Sequence, residues 1–141
     1  MKERRLVRVR DVMKRKFHMV DGLTTVADAL RTMKHESTKT LIVNKRHDND
    51  EYGIVLVADI AKNVLAKDRS PSRVNVYEVM SKPVISVDPE MDIRYCARLF
   101  DRFGLSRAPV ILAGDIIGIV SYTDMVLDGM FHEDNDETPP R

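Results

Sequence analysis

Few residues in this chain are of a type and spacing that could do chemistry. Asp48-Asn49-Asp50-Glu51-Tyr52-Gly53 begins like a calcium-binding loop, and Asp59 falls at its twelfth position. Tyr52 breaks the ligand pattern and Ile54 to Val57 reads on as a strand, so no metal site is assigned. His18, His35, His47 and His132 share no ligand spacing with one another or with Cys96. Cys96 lies on the apolar stripe of a predicted helix, which marks a core thiol rather than a nucleophile. Neither a G-x-S-x-G elbow nor a P-loop occurs, and the expectation is a protein that is not an enzyme. One cluster stands out: Ser121-Tyr122-Thr123-Asp124, two hydroxyls and a carboxylate at a strand-to-helix junction. A carboxylate so placed can accept charged hydrogen bonds from ligand hydroxyls. The same residue types at the same place also cap a helix, and both readings stand.

The elements that must position this cluster occur twice. At a shift of 67 residues, Val9-Arg10-Asp11-Val12-Met13 falls on Val76-Tyr77-Glu78-Val79-Met80, Val20-Asp21 on Val87-Asp88, and Val43 on Val110. At a shift of 65, Gly53-Ile54-Val55-Leu56-Val57-Ala58-Asp59 meets Gly118-Ile119-Val120-Ser121-Tyr122-Thr123-Asp124, so the first copy's loop is two residues longer. In the first copy, Thr25-x-x-Asp28 caps a helix bearing Val26, Ala29, Leu30 and Met33 at helical spacing. Strands follow at 40–43 and 53–57, then a helix over about 59–66. In the second copy, Asp92 caps a helix with Ile93, Cys96, Ala97 and Phe100 on one stripe, ending at Gly104. Strands at 108–112 and 116–121 flank the turn Ala113-Gly114-Asp115, and a last helix runs over about 123–131. The reading is an α+β chain of the α/β-sandwich type: two pseudo-symmetric βαββα repeats packed through their small sheets. Its divisions are a basic arm (1–8), repeats at 9–66 and 74–131, a polar linker (67–73) and an acidic disordered tail (132–141).

Composition sets the class. The chain has 141 residues, 43% hydrophobic and 32% charged, as in an ordinary soluble protein. It has one cysteine, no apolar run of membrane-spanning length and no secretory signal pattern, so a cytoplasmic location is expected. A net charge of +1 hides a basic start, with Lys2, Arg4, Arg5, Arg8, Arg10, Lys14, Arg15 and Lys16 against two acids. The helix around Met125, Val126, Leu127, Met130 and Phe131 is apolar over most of its circumference, which predicts burial against a second copy in a homodimer.

Taken together, Asp-Val-Met, Val-Asp-Pro before a helix, Arg-x-Pro-Val and Gly-Ile-Val-Ser-x-x-Asp resemble a cystathionine β-synthase (CBS) domain, here in tandem as a Bateman module. The resemblance spans about 9–131 and implies a regulatory module that binds an adenosine-containing nucleotide (AMP, ADP, ATP, S-adenosylmethionine or NAD) in clefts between repeats. It implies that Asp124 holds the ribose hydroxyls, Ser121 and Thr123 support it, and Arg107 faces phosphate. Ile119, Val20 and Met19 would contact the base; Met19 stands where many members carry Thr or Ser. The second cleft would use Asp59, Ser86, Val87, Lys39 and Thr40. There Leu56 replaces the hydroxyl residue and Lys39-Thr40 replaces Ser106-Arg107, so the Asp124 cleft is the better candidate. The resemblance also implies a flat two-fold dimer and an associated protein that is regulated. Two alternatives remain: a dimeric interaction module without a nucleotide, and a nucleic-acid-binding protein using the basic arm. No recognition helix or stacking aromatic accompanies that arm, which places nucleic acid last.

Overall fold

The structure is a computed structural model, described over residues 6–130. The expected tail at 132–141, Phe131, and Lys2, Arg4 and Arg5 of the basic arm lie outside the described residues. The chain divides into two compact units. One is continuous, Phe17–Val84; the other is split, with residues up to Lys16 joined to residues from Ile85 onward.

In the continuous unit, β1 (Met19–Val20) runs parallel to β2 (Thr40–Val43), which pairs antiparallel with β3 (Gly53–Leu56). A bridge from Ile54 to Ser81 extends this sheet on its far side. Helix α2 (Val26–His35) starts where expected, the Thr25 hydroxyl accepting from the Asp28 amide at 3.1 Å. Its buried Val26, Ala29 and Met33 pack with Leu41, Val43, Val55, Ile60 and Val64 into one core.

The split unit repeats the plan. Helix α4 (Ile93–Phe103) is capped by Asp92, whose carboxylate accepts from the Arg94 amide at 2.9 Å. It ends at Gly104, where φ is +66°, a left-handed conformation that glycine adopts without strain. β4 (Arg107–Leu112) and β5 (Asp115–Ser121) form the antiparallel pair. Val87 bridges Val110 in parallel on one side, and Lys14 bridges Ile119 on the other. Phe100, Cys96, Val110 and Val120 are fully buried at its centre. Burial pushes the Cys96 thiol up to about 11, which leaves a core group with little thiolate character.

The spatial units are offset from the sequence repeats by an exchange of leading segments. α1 (Val9–Val12) begins the first repeat, yet Val9 donates to Met91 O at 2.8 Å and Ile93 to Val7 O at 3.0 Å, inside the split unit. The matching segment of the second repeat serves the continuous unit, with Val26 donating to Val74 O and Val76 to Thr24 O, both at 2.8 Å. The helices after the two Asp junctions also differ from expectation. α3 (Val57–Ile60) is a single turn that passes into a π-helix at Ala61–Leu65, and Asp124–Met130 is π throughout its seven residues.

Candidate functional site

β5 ends at Ser121 and the backbone turns helical from Tyr122, which puts Asp124 in the first turn, three positions after Ser121. The Ser121 amide and hydroxyl both donate to Asp124 Oδ2 at 3.0 Å, and the Asp124 amide donates back to Ser121 Oγ at 3.2 Å. Ser121 and Asp124 are both buried. The other carboxylate oxygen, Oδ1, faces the Lys14 ammonium at 3.5 Å. That ammonium also donates to Asp128 at 3.1 Å, and the Asp128 hydrogen bond followed by the Asp124 charge raises the Lys14 pKa. The two readings of this motif therefore occupy different oxygens: Oδ2 caps the helix, while Oδ1 keeps acceptor capacity beside a cation.

The sheet brings further residues to the junction. Arg107 is directly opposite Ser121 in the β4–β5 register, and Ile119 stands two residues before Ser121, on the same face. Lys14 and Ile119 exchange backbone hydrogen bonds of 2.8 and 2.9 Å, which carries the lysine to the carboxylate. Thr123 is exposed. Tyr122 leans its ring edge on Phe100, with centroids 5.2 Å apart. Met19 and Val20 belong to β1 of the continuous unit, Met19 exposed and Val20 half-buried against its core.

Asp59 occupies the equivalent junction of the continuous unit. Its Oδ2 accepts from the Leu56 amide at 2.8 Å, but Leu56 has no hydroxyl to add a second bond. Position 81, the repeat mate of Lys14, is Ser81. Thr40 is buried opposite Leu56, and Lys39 is exposed, its carbonyl accepting from Val57. Ser86 and Val87 lie in the split unit, Ser86 exposed and Val87 in its core.

Lys14 and Asp128 are the residues that sequence reasoning did not place at the site. Lys14 read as one charge of a basic arm, and only the exchanged leading segment brings it to Asp124. Among the described residues of that arm, Arg8, Arg10 and Lys14 have acidic or carbonyl partners. Arg10 forms an ion pair with Glu90, and Arg8 donates to the Glu90 carbonyl at 2.6 Å. The calcium-like loop is likewise occupied by cations of the chain. Asp50 lies 2.8 Å from the Lys82 ammonium and accepts from the Arg46 amide at 2.9 Å, which together hold its carboxyl well below the usual carboxylate range. Among the described residues no group of three or more His, Cys, Asp or Glu could hold a metal ion, and no helix is long and apolar enough to cross a membrane.

Two small α+β sheets, each flanked by a capped helix and ending in an Asp junction, define the class. The CBS domain family matches residues 9–66 and 76–127, and the chain belongs to that family as a tandem pair. An uncharacterised protein of Methanopyrus kandleri is 29% identical over 104 residues, which are 73% of this chain and 52% of that protein. The chain thus spans about half the length of that relative. Among solved structures, the hexameric CBS-CP12 protein from bloom-forming cyanobacteria is 38% identical, with a TM-score of 0.84 over 96% of this chain and 76% of its own. The CBS domain pair of MJ0100, solved with 5′-methylthioadenosine and S-adenosyl-L-methionine, is 18% identical at a TM-score of 0.76, covering 95% of this chain and 100% of its own. At that identity it shares the fold.

Proposed function

We propose that this tandem CBS pair is a regulatory module that binds an adenosine-containing nucleotide at the Asp124 junction and does not transform it. The observation that carries this reading is the division of labour on one carboxylate. Oδ2 is saturated by Ser121, which fixes the group without mobile parts, and Oδ1 retains lone pairs for the ribose hydroxyls. Arg107, opposite Ser121, is the residue assigned to phosphate, for which a guanidinium fork is suited. Ile119 supplies apolar surface to the base. Lys14 is the cation that faces this carboxylate. The adenosine ligands named with the MJ0100 domain pair are consistent with this ligand class.

The test is a thermal-shift panel of AMP, ADP, ATP, S-adenosylmethionine and NAD, followed by calorimetry. At least one ligand is expected to bind below millimolar concentration. Arg107→Ala is expected to weaken nucleotides while sparing adenosine. If no member of the panel binds below millimolar, this reading is wrong.

A second reading, association between copies, is favoured by a separate observation. In the Asp124–Met130 helix, Met125 and Gly129 are buried, yet Val126, Leu127 and Met130 are 49%, 66% and 55% exposed. Three neighbouring apolar side chains in water on one short helix are what a subunit contact would cover. The hexameric state named for the cyanobacterial relative accords with self-association, and a homodimer is the proposed state here.

A further inference from the structure

The continuous unit holds a groove of about 730 Å³ that the Asp junctions do not use. It opens where β1 and β2 end, around Gly22, Leu23, Val43, Lys45, Tyr77 and Met80. In the β2–β3 register Val43 pairs with Gly53 and Thr40 with Leu56, so the groove and the Asp59 junction lie at opposite ends of one sheet. Three residue steps separate them, ~10 Å along the strand. Asp124 belongs to the other unit altogether.

Repeat symmetry shows that the rim of this groove differs between the two units. Shifted by 67, Leu23 becomes Glu90 and Tyr77 becomes Arg10. In the split unit those two mates ion-pair with each other, and Arg8 reinforces them from the Glu90 carbonyl. In the continuous unit no such pair can form. Leu23 is 76% exposed and Tyr77 51% exposed, two large apolar side chains at the groove. Gly22 sets the tyrosine there. Its carbonyl accepts from the Tyr77 amide at 3.0 Å, and a Cβ on Gly22 would stand 3.3 Å from the Tyr77 Cβ. The longer charged loop after β2 adds the rest of the wall. Lys45, Arg46 and Lys82 line it against a single lining carboxylate, Asp21, which accepts from Asn44 at 3.2 Å. Asp50, just outside the lining, engages both Lys82 and Arg46, which leaves the wall with a net positive charge once both acids are counted.

We infer that this groove is a second ligand site, for a small molecule that carries one compact anionic group on a flat apolar body. Leu23, Val43, Tyr77 and Met80 take the apolar body; the anion sits toward Lys45, whose ammonium lies over the Tyr52 ring while Asp50 engages Lys82 and Arg46. The volume lies in the range of small-molecule sites, and an apolar floor with a few convergent polar groups is their usual make-up.

The probe is 1-naphthyl phosphate, titrated into the uniformly ¹⁵N-labelled full chain, with 1-naphthol and inorganic phosphate as the separated halves. Saturable shifts are expected at the Gly22, Asn44, Lys45 and Tyr77 amides, with affinity at least tenfold above either half. Leu23→Glu with Tyr77→Arg installs the ion pair of the other unit and should weaken the probe tenfold or more. Lys45→Ala should weaken it severalfold, and Asp124→Ala should leave it unchanged, which separates this site from the nucleotide reading. Shifts centred on Ser121 to Asp124, or a double variant that binds as well as the parent, overturn the inference. So do shifts at these amides that follow protein concentration without probe, since the groove would then be a self-association face.

Discussion

The two Asp junctions share a backbone plan and differ in what reaches the carboxylate. At Asp124 a serine amide and hydroxyl hold one oxygen and a lysine faces the other. At Asp59 the residue three positions earlier is Leu56, which gives one backbone bond. The fold therefore demands only a helix-starting acid at this point, and both copies have it. The hydroxyl and the cation are additional, and they appear in one copy alone. A duplicated fold thus carries an internal control: what both copies keep serves architecture, and what one copy adds is a candidate for function. The groove at Leu23 and Tyr77 follows the same logic in the opposite unit, where an ion pair has been replaced by open apolar surface.

The largest expected effect probes the cores. Phe100 and Met33 are repeat mates, fully buried and 5% exposed respectively. Phe100→Ala should cost about 3–5 kcal/mol and Met33→Ala about 2–5. Phe100 also loses its edge contact with Tyr122, worth about 0.5–1.5 kcal/mol, so its urea midpoint should fall further. Equal shifts would mean that the tyrosine contact is inert.

Gly118 and Gly53 sharpen the comparison at the exchanged segments. A Cβ on Gly118 would meet the Lys14 carbonyl at 2.7 Å, a backbone atom that cannot swing away. A Cβ on Gly53 would meet Met80 Sδ at 2.6 Å, the far part of a flexible side chain. Gly118→Ala should cost about 1–3 kcal/mol through overpacking. Gly53→Ala should cost less than Gly118→Ala, because Met80 can swing away and only Val43 Cβ, 3.3 Å off, must give slightly, against roughly 0.5–1 kcal/mol of chain entropy recovered when alanine replaces a strand glycine. Because Lys14 moves with its carbonyl, Gly118→Ala should also reduce ligand affinity at Asp124. Denaturation and calorimetry on the two variants check both statements.

Association should respond to the exposed face of the last helix. Leu127→Asp or Met130→Asp is expected to lower the mass seen by light scattering at micromolar concentration. A monomeric parent under those conditions would remove the dimer reading.

The smallest effect concerns the loop of the continuous unit. Asp50 is held below the usual carboxylate range by Lys82 first and by the Arg46 amide next. A depressed folded value adds stability above the unfolded pKa of about 3.9, and that stability is lost as pH falls through the lower folded value. The carboxyl ¹³C shift of Asp50 should therefore stay that of the ionised form at pH values where free aspartate is half protonated. Lys82→Met should move its midpoint upward. A normal midpoint in the parent would show that the Lys82 contact does not persist in solution.

Much of this architecture is legible in the sequence because it is local. Thr25 with Asp28, Asp92, and Gly104 mark helix ends through hydrogen bonds within a few residues; α2 and α4 begin, and α4 ends, where those signals fall. β2, β4 and β5 likewise match their Val/Ile runs to within a residue. The exchange of leading segments was not legible. Val9 and Val76 are the same residue in the same local pattern, so nothing nearby says which copy's sheet each will join. That ambiguity hid Lys14 from the site, since its partner Asp124 is more than a hundred residues away. The π-winding after each junction left no mark either, because the apolar spacing there fits an ordinary helix.

The central claim is that Asp124, rather than Asp59, holds the ribose of an adenosine ligand. It is tested most directly by calorimetric titration of the parent, Asp124→Ala and Asp59→Ala with whichever nucleotide of the panel binds best. Two hydrogen bonds to a charged group contribute roughly 1.5–3 kcal/mol each. The account predicts that Asp124→Ala weakens binding by about a hundredfold or more, while Asp59→Ala changes it by less than about threefold. Equal affinity in the parent and Asp124→Ala, or a larger loss in Asp59→Ala, would contradict it.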